Sequence, residues 1–193
     1  MNRLQSLTAS LLLLAIAACG QPEPAREPTF HEVMIGMIDP IADVIWKVSS
    51  KSYGPDGNAQ PGLLTDNDWS EIAKSARILH DGATIIAENP NIEVVRPGVK
   101  ILDEGVVAEA VTAAQVVAYI DRDRPGLARH ARDLSKIALQ IEAAAKARDA
   151  HTTVRLAEEL DYVCEACHQR FWYPEQPALT GAKGNPALSG GAP

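Results

Sequence analysis

The sequence predicts an all-α protein, an antiparallel four-helix bundle, on three observations. Aromatic residues make up only 5% of the 193-residue chain, and alanine is abundant in each segment with helical character. That composition suits closely packed helices better than a sandwich or a barrel. Four main segments carry apolar residues at intervals of three and four, the repeat of one helix face. Packing these faces together is the most economical way to bury them.

The first helix is predicted to begin at Thr29, because Glu32 follows it at the spacing of a capping box. Pro40 falls within this helix, where it lacks a backbone donor and crowds the carbonyl group of Gly36. Since a glycine relieves part of that crowding, we expect a kink rather than a break. The apolar residues on its inner face are Phe30, Met34, Met37, Ile41, Val44 and Val48.

The second helix is predicted to begin with a cap at Thr65, paired with Asp68, and to stop at Asn89-Pro90. Residues 49–64, which precede it, contain several Gly and Pro turn pairs and are predicted to form a loop. The apolar stripe of this helix is Trp69, Ile72, Ala76, Leu79, Ala83 and Ile86.

Two further helical regions complete the bundle. The third begins near Thr112 and restarts at Pro125, with Asp123 as the cap of its second part. The stripe of that second part is Leu127, Ala131, Leu134, Ala138, Ile141 and Ala145. Asp149 is predicted to cap the last helix. The inner face of the last helix is Val154, Ala157, Leu160, Cys164 and Cys167.

The N-terminal residues predict export and a lipid anchor. Residues 1–18 have a positively charged start and an apolar run too short to cross a bilayer, which is typical of a signal peptide. Cys19 follows two alanines, and this junction resembles the lipobox of bacterial lipoproteins. The resemblance implies that Cys19 is lipidated and anchors the protein to a membrane. The alternative is an ordinary cleavage site beside an incidental cysteine.

The chain therefore divides into four parts. Residues 19–28 are predicted to be a lipidated tether, residues 29–173 the helical domain, and residues 174–193 a flexible tail rich in Pro, Gly, Ala and Ser. The predicted location is the periplasm. Gly20, in place of an Asp after the lipidated cysteine, favours attachment to the outer membrane.

The net charge of −7, without a cluster of Lys or Arg, argues against a nucleic-acid-binding protein. An acidic surface favours at most basic partners or electrostatically steered encounters. A homodimer is compatible with the sequence.

Residues 164–168 read Cys-Glu-Ala-Cys-His, the C-x-x-C-H signature of covalent haem attachment. The two thiols, Cys164 and Cys167, form thioethers with the haem vinyl groups, and His168 is the proximal ligand of the iron. Two other interpretations of the cysteine pair fit less well. A zinc site needs further ligands at suitable spacing, and a thioredoxin-like motif needs a βαβ setting. The sequence thus predicts one covalent haem c.

The motif lies at the end of the last helix of an all-α domain, an arrangement that resembles the class II cytochromes c, the cytochrome c-prime type. The first-helix segment, residues 34–46, also resembles that group. The resemblance covers residues 29–173 and implies a four-helix bundle. It further implies that a residue of the first helix faces the sixth position of the iron, a Met in the electron-transferring branch.

Three features depart from the family pattern. The connection at residues 91–111 is longer than usual, and we expect it to cover one side of the cofactor. Pro40 is unusual in a bundle helix. The Arg that the family often places before the ligand Met, where it contacts a haem propionate, is absent. Arg77 and Arg96 are the candidate substitutes.

The predicted distal ligand is Met34, with Met37 as second choice. Both lie on the inner face of the first helix, and the only other Met of the chain is Met1. Core packing is the alternative role for either. Among the remaining histidines, His31, His80, His130 and His151, the most plausible bis-His ligand is His80. Trp46 and Trp69 are interpreted as core or haem-edge packing.

These features predict a periplasmic electron carrier with low-spin His/Met iron. Its partners would be redox proteins. The alternative is a high-spin haem protein that binds nitric oxide or carbon monoxide. The sequence contains no recognisable set of acid–base or nucleophilic residues, so an enzyme is not predicted.

Overall fold

The computed structural model describes residues 26–102, 104–106 and 110–174, and these residues form helices without any named β-strand. The all-α prediction is confirmed. The predicted signal peptide, Cys19, most of the tether and nearly all of the tail lie outside the described residues. Within the described ranges, no helix is both long and apolar enough to pass through a membrane.

Helix α1 is continuous from Phe30 to Ser49 and has three parts. An α-helical turn, Phe30–Val33, leads into a π-helical turn, Met34–Ile38, and then into an α-helix, Asp39–Ser49. The remaining α-helices are α2 (Asp66–Glu88), α3 (Ala113–Arg122), α4 (Arg124–Ala147) and α5 (Ala150–Phe171), of which α3 is the shortest. The predicted loop between α1 and α2 contains two short 3-10 turns, Ser50–Ser52 and Pro61–Leu63.

The predicted helix starts are confirmed by their caps. Thr29 and Thr65 each form a reciprocal capping box, with Glu32 and Asp68 respectively. The start of α3 has the same arrangement at Thr112, and the side chains of Asp123 and Asp149 accept N–H groups at the starts of α4 and α5. A cap of this kind contributes about 1 kcal/mol, because it satisfies a backbone donor that the helix itself leaves unpaired.

The π-helical turn of α1 directly precedes Pro40. In this turn the N–H of Asp39 donates to the carbonyl of Met34, five residues back. The wider turn accommodates a proline that has no N–H to give and would crowd an α-helical carbonyl. The sequence predicted a kink here, and the structure shows the helix continuing through a widened turn. Both candidate ligands, Met34 and Met37, lie in that turn.

The helices pack around a common hydrophobic core. Helix α1 packs against α2 and α5, and α4 packs against the same two helices. The short helix α3 lies against α4 and α5. The largest fully buried aliphatic side chains of these helices are Ile45, Ile72, Leu79, Ile120, Ile141 and Leu160.

The residues between α2 and α3 include a segment that we call the strap, residues 91–102. It begins against α1, because the N–H groups of Phe30 and His31 donate to the carbonyls of Glu93 and Val94 at 2.8 and 2.9 Å. It ends against α3, because the Glu104 carboxylate accepts the N–H groups of Ile101 and Ala113, both at 3.1 Å. The strap is therefore fixed at both ends to the helices beside it.

Helices α1 and α2 approach closely at Gly82. A Cβ atom at this position would lie 3.1 Å from the Cβ of Met37 and 3.4 Å from a side-chain carbon of Ile38. We expect Gly82→Ala to lower the free energy of unfolding by about 1–2 kcal/mol, because the steric cost exceeds the gain in helix propensity. Urea unfolding measures the change.

The matched control is Gly36→Ala, on the exposed side of the same helix pair. A Cβ atom there would have no neighbour within 4 Å, so its effect should be within about 1 kcal/mol of zero. Equal stability of the Gly82 variant and the wild type would contradict the close approach.

Candidate functional site

Cys164, Cys167 and His168 lie on one face of α5, near its C-terminal end. Their spacing of three and four residues places them on adjacent turns of a helix, and all three side chains are partly buried. The helix ends just beyond them, where the N–H groups of Trp172 and Tyr173 both donate to the carbonyl of His168, at 2.7 and 3.0 Å. The predicted haem-attachment residues therefore lie together at one end of the domain.

A cavity of about 210 Å³ lies against this face and opens to solvent. Its walls come from four parts of the chain: the start of α1, the strap, the start of α3 and the end of α5. Cys167 and His168 line it from α5, and Met34 and Asp39 line it from α1. The strap contributes four apolar side chains, Val94, Val95, Ile101 and Leu102. The segment expected to cover a cofactor thus borders the same cavity as the attachment residues.

A second, smaller cavity of about 40 Å³ lies on the inner side of the same residues. Both cysteines and His168 line it, together with Met34 and His130. Met34 therefore faces the attachment residues in both cavities. Met37 lines neither of the two and lies against Gly82 of α2 instead.

The two thiols are neutral in this environment. Burial, reinforced by the carboxylates of Asp161 and Asp39, raises the pKa of Cys164 to about 12. Burial also raises the pKa of Cys167 to about 12, with a further contribution from Cys164. Among the described residues, no group of three or more His, Cys, Asp or Glu side chains is placed to hold a metal ion.

His168 has an environment suited to a neutral imidazole. Burial lowers its pKa, and this effect outweighs the opposing influence of Glu165, Asp39 and Asp161. A neutral ring keeps a free lone pair, which is the form that ligates metals. The rings of Trp172 and Tyr173 lie 6.4 and 6.0 Å from the imidazole, measured between ring centres.

A hydrogen-bonded group on α5 flanks the motif. The hydroxyl of Tyr173 donates to Glu165, which also accepts from the amide of Gln169 at 2.8 Å. Burial and the bond to Glu165 raise the pKa of Tyr173, so its hydroxyl keeps its proton. Glu165, the first spacer residue of the motif, is thereby held in place.

The histidines that lie nearest to the attachment residues are not the one that the sequence favoured as a second ligand. His80, the preferred bis-His candidate, shares a 2.8 Å hydrogen bond with Ser135 and lines neither cavity. His31 lines the larger cavity, and His130 lines the smaller one while packing edge-on against Phe171 at 5.8 Å. His151 is exposed at the opposite end of α5.

The two candidate substitutes for the missing Arg lie in different places. Arg77 forms a 2.5 Å ion pair with Glu142 and is not among the residues of either cavity. Arg96 belongs to the strap, where it pairs with Glu93 and Glu32 and donates to the carbonyl of Glu27 at 2.7 Å. Of the two, Arg96 alone belongs to a segment that borders the larger cavity, directly after Val95.

The two tryptophans named in the sequence have packing roles. The indole N–H of Trp46 donates to the carbonyl of Ala157 at 2.8 Å and joins α1 to α5. Trp69 is buried on α2. Neither lines the cavities at Cys167 and His168.

No sequence pattern assigned a role to Asp39, Trp172 or Tyr173, which also line the larger cavity. One signal for the aromatic pair was available. Residues 171–173 are a run of three aromatics directly after the motif, in a chain where only 5% of residues are aromatic.

No protein-family model matches the chain, and no curated protein and no solved structure was found to match it either.

Proposed function

We propose that this protein is a c-type cytochrome of the class II kind, a four-helix bundle that carries one haem c and transfers electrons. One observation carries the proposal. Cys164, Cys167 and His168 share one face of α5, where all three line the smaller cavity and the last two also line the larger one. Met34 of α1 lines both cavities. The C-x-x-C-H spacing supplies the chemical specificity.

The donor set fits a haem better than a bare metal ion. The porphyrin supplies four of the ligands of the iron, so the protein needs to supply only one or two. His168 and Met34, from facing helices, are a nitrogen and a thioether sulfur of the kind found in electron-transferring cytochromes. The protonated thiols are reactants for thioether formation, in which each S–H adds across one vinyl group.

Each residue has a distinct task in this proposal. Cys164 and Cys167 hold the cofactor covalently, and His168 binds the iron as a neutral imidazole. Met34 fills the sixth position, and the apolar side chains of the strap exclude water from the iron. When bound, the haem supplies reversible one-electron exchange, whose potential a Met ligand and an apolar pocket raise.

The cavity is smaller than the about 300–1,000 Å³ of typical ligand pockets. Its volume of about 210 Å³ holds only part of a porphyrin. We therefore expect the side chains of the strap to shift outward when the haem is attached. Arg96 directly follows Val95 of this wall, whereas Arg77 lies on α2 in an ion pair with Glu142, so Arg96 is the better of the two candidates for a propionate contact.

The absorption spectrum of the reduced protein tests the proposed function. A narrow, low-spin α-band that carbon monoxide changes only slowly is the result expected for His/Met iron. A broad, high-spin band with rapid carbon monoxide binding would instead support the gas-binding function. The absence of any haem band in protein matured in a periplasm would contradict both.

The proposal includes a lipid anchor at Cys19. We expect Cys19→Ser to release the holoprotein into the soluble periplasmic fraction or to block its processing, because no diacylated thioether can form. Fractionation and the mass of the N-terminal peptide measure this. An unacylated wild-type N-terminus downstream of Cys19 would contradict the anchor and leave the haem proposal intact.

A further inference from the structure

Helix α4 differs in charge from the other four helices of this acidic protein. It carries five Arg or Lys residues against two carboxylates, Asp133 and Glu142. By contrast, α1, α2 and α5 each carry more acidic than basic residues, and α3 carries one of each. The chain as a whole has a net charge of −7. Positive charge is therefore concentrated on one helix.

Most of the cations of α4 lie on one exposed side of the helix. Arg129, Arg132, Lys136 and Lys146 are all exposed. At 3.6 residues per turn, these positions fall within about 100° of one another around the helix axis. Leu139 falls within the same sector and is 39% exposed. We call these five side chains the basic face. They are spread along the sequence and form a group only on the folded helix.

The middle of the basic face is not neutralised by acidic neighbours. Among the described residues, neither Arg132 nor Lys136 forms an ion pair. Arg129 lies 3.7 Å from Asp123, a carboxylate that it shares with Arg170. The positive charge of this surface is therefore directed at solvent, where an anionic molecule can approach it.

The positive charge continues from α4 onto the neighbouring side of α2. An open groove of about 690 Å³ lies between the two helices, and its walls carry four cations and two carboxylates. One carboxylate, Glu142, is buried between Arg77 and Lys146 at 2.5 and 2.6 Å. Ile78, which is 39% exposed, also lines the groove. The four cations of the groove are Lys74, Arg77, Lys146 and Arg148.

The chain leaves the helical domain toward Cys19 next to the start of α4. Phe30, the first residue of α1, lines the smaller cavity together with Leu127 and His130 from the first turns of α4. The ten residues between Cys19 and Phe30 span at most about 35–40 Å. Helix α4 has 24 residues and is about 36 Å long. A lipid at Cys19 would therefore keep the whole of α4 within reach of the membrane surface.

We propose that the basic face is a docking surface for a bilayer of anionic phospholipids. The inference goes beyond the proposed function and uses its lipid anchor only to bring the domain to the membrane. Lys and Arg bind the phosphate groups of such lipids, and an exposed Leu139 enters the headgroup layer. The anchor attaches the protein, and the basic face sets its orientation.

This orientation leaves the proposed haem site on other elements. No residue of α2 or α4 lines the larger cavity, whose walls come from α1, the strap, α3 and α5. An acidic protein is the less favoured occupant of the basic face, because the tether holds a membrane beside α4 and holds no protein there.

Vesicle sedimentation of full-length Cys19→Ser protein, which lacks the acyl chains, tests the proposal. The vesicles are equimolar phosphatidylglycerol and phosphatidylcholine, or phosphatidylcholine alone. At low salt, binding should be at least about tenfold stronger to the anionic vesicles. It should weaken about tenfold or more at an ionic strength of about 0.15 M. Without its anchor the protein therefore still fractionates as soluble under physiological conditions.

Two variants in the Cys19→Ser background address the surface itself. Arg132→Glu/Lys136→Glu should weaken binding to the anionic vesicles about tenfold or more. Leu139→Ser should weaken it about two- to fivefold, because an apolar contact is lost. The matched control is Lys47→Glu/Lys100→Glu, which makes the same change in net charge at exposed positions of α1 and the strap. Its binding should stay within about threefold of the parent protein. Circular dichroism checks that all variants keep their helices.

The outcomes distinguish the possible occupants. Equal binding by the two double variants, or binding that does not distinguish the two kinds of vesicle, would overturn the proposal. Retention on immobilised polyglutamate without vesicle binding would assign the basic face to an acidic protein. A dimer that Arg132→Glu/Lys136→Glu dissociates, again without vesicle binding, would assign it to a second copy of the chain. Either result would also overturn the proposal. Since no readout uses the haem, each of these failures leaves the proposed electron carrier intact.

Discussion

The Cys164→Ala/Cys167→Ala variant is expected to lose essentially all covalently attached haem. Both thioethers require a thiol, and the third cysteine of the chain, Cys19, lies far away in sequence at the predicted lipidation site. His168 alone could hold a haem only by coordination, which acid–acetone extraction removes. Haem-stained denaturing gels of periplasmic protein, with intact mass, measure the loss.

Single variants and a thiol control sharpen this experiment. Cys164→Ala and Cys167→Ala should each keep at most one thioether, and the remaining vinyl group should shift the α-band to longer wavelength. Cys19→Ser removes a thiol outside the motif and should leave haem attachment at the wild-type level in the protein that is exported. A double variant that still carries a full complement of covalent haem would contradict attachment through Cys164 and Cys167.

The Met34→Ala variant is expected to convert low-spin iron into high-spin, five-coordinate iron. The thioether that would fill the sixth position is gone, and Met37 lies against Gly82 and lines neither cavity. Loss of that soft ligand should lower the reduction potential, because it stabilises ferrous iron. Carbon monoxide should bind much faster than to the wild type. Absorption spectra, potentiometry and stopped-flow mixing give the three readouts.

Met37→Ala is the matched control, since it deletes the same side chain within the same π-helical turn. It should keep a low-spin spectrum. Its free energy of unfolding should fall by about 1–3 kcal/mol, which is less than truncation of a fully buried Met costs, because the Met37 side chain is half-buried. If instead Met37→Ala is high-spin and Met34→Ala stays low-spin, the distal ligand is Met37 and not Met34. If neither variant changes the spectrum, His31 and His130 become the candidates, since both line a cavity at His168.

Local patterns predicted the helices well because the signals for helix starts are local. Thr29, Thr65 and Asp149 each satisfy N–H groups within three residues, so the sequence alone contains both partners of each bond. The stop at Asn89 likewise follows from the proline beside it. The π-helical turn before Pro40 was not predicted, because a proline in a helix can be accommodated by bending or by widening the turn.

The attachment residues were predictable for the same reason: Cys164, Cys167 and His168 lie within five residues. The distal side depends on how α1 packs against α2 and α5, and helical periodicity gives Met34 and Met37 the same face. What distinguishes them is the close contact between Met37 and Gly82, a residue forty-five positions away. Single-sequence patterns carry no information about that contact.

The choice of His80 as the most plausible bis-His ligand likewise could not take account of contacts between helices. His80 lies beside the apolar stripe of α2, as a ligand might, but its partner in the structure is Ser135 of α4. The connection at residues 91–111, which includes the strap, was expected to cover the cofactor because of its length alone. Its actual position depends on hydrogen bonds to α1 and α3 that link residues distant in sequence.

The most direct test of the central claim is a peptide map of the wild-type protein matured in a bacterial periplasm. Digestion and mass spectrometry should find the mass of one haem on the peptide that contains residues 164–168, bonded through both cysteines. The intact denatured protein should carry that single added mass. A peptide with two free thiols, or a haem mass that disappears on denaturation, would contradict the account.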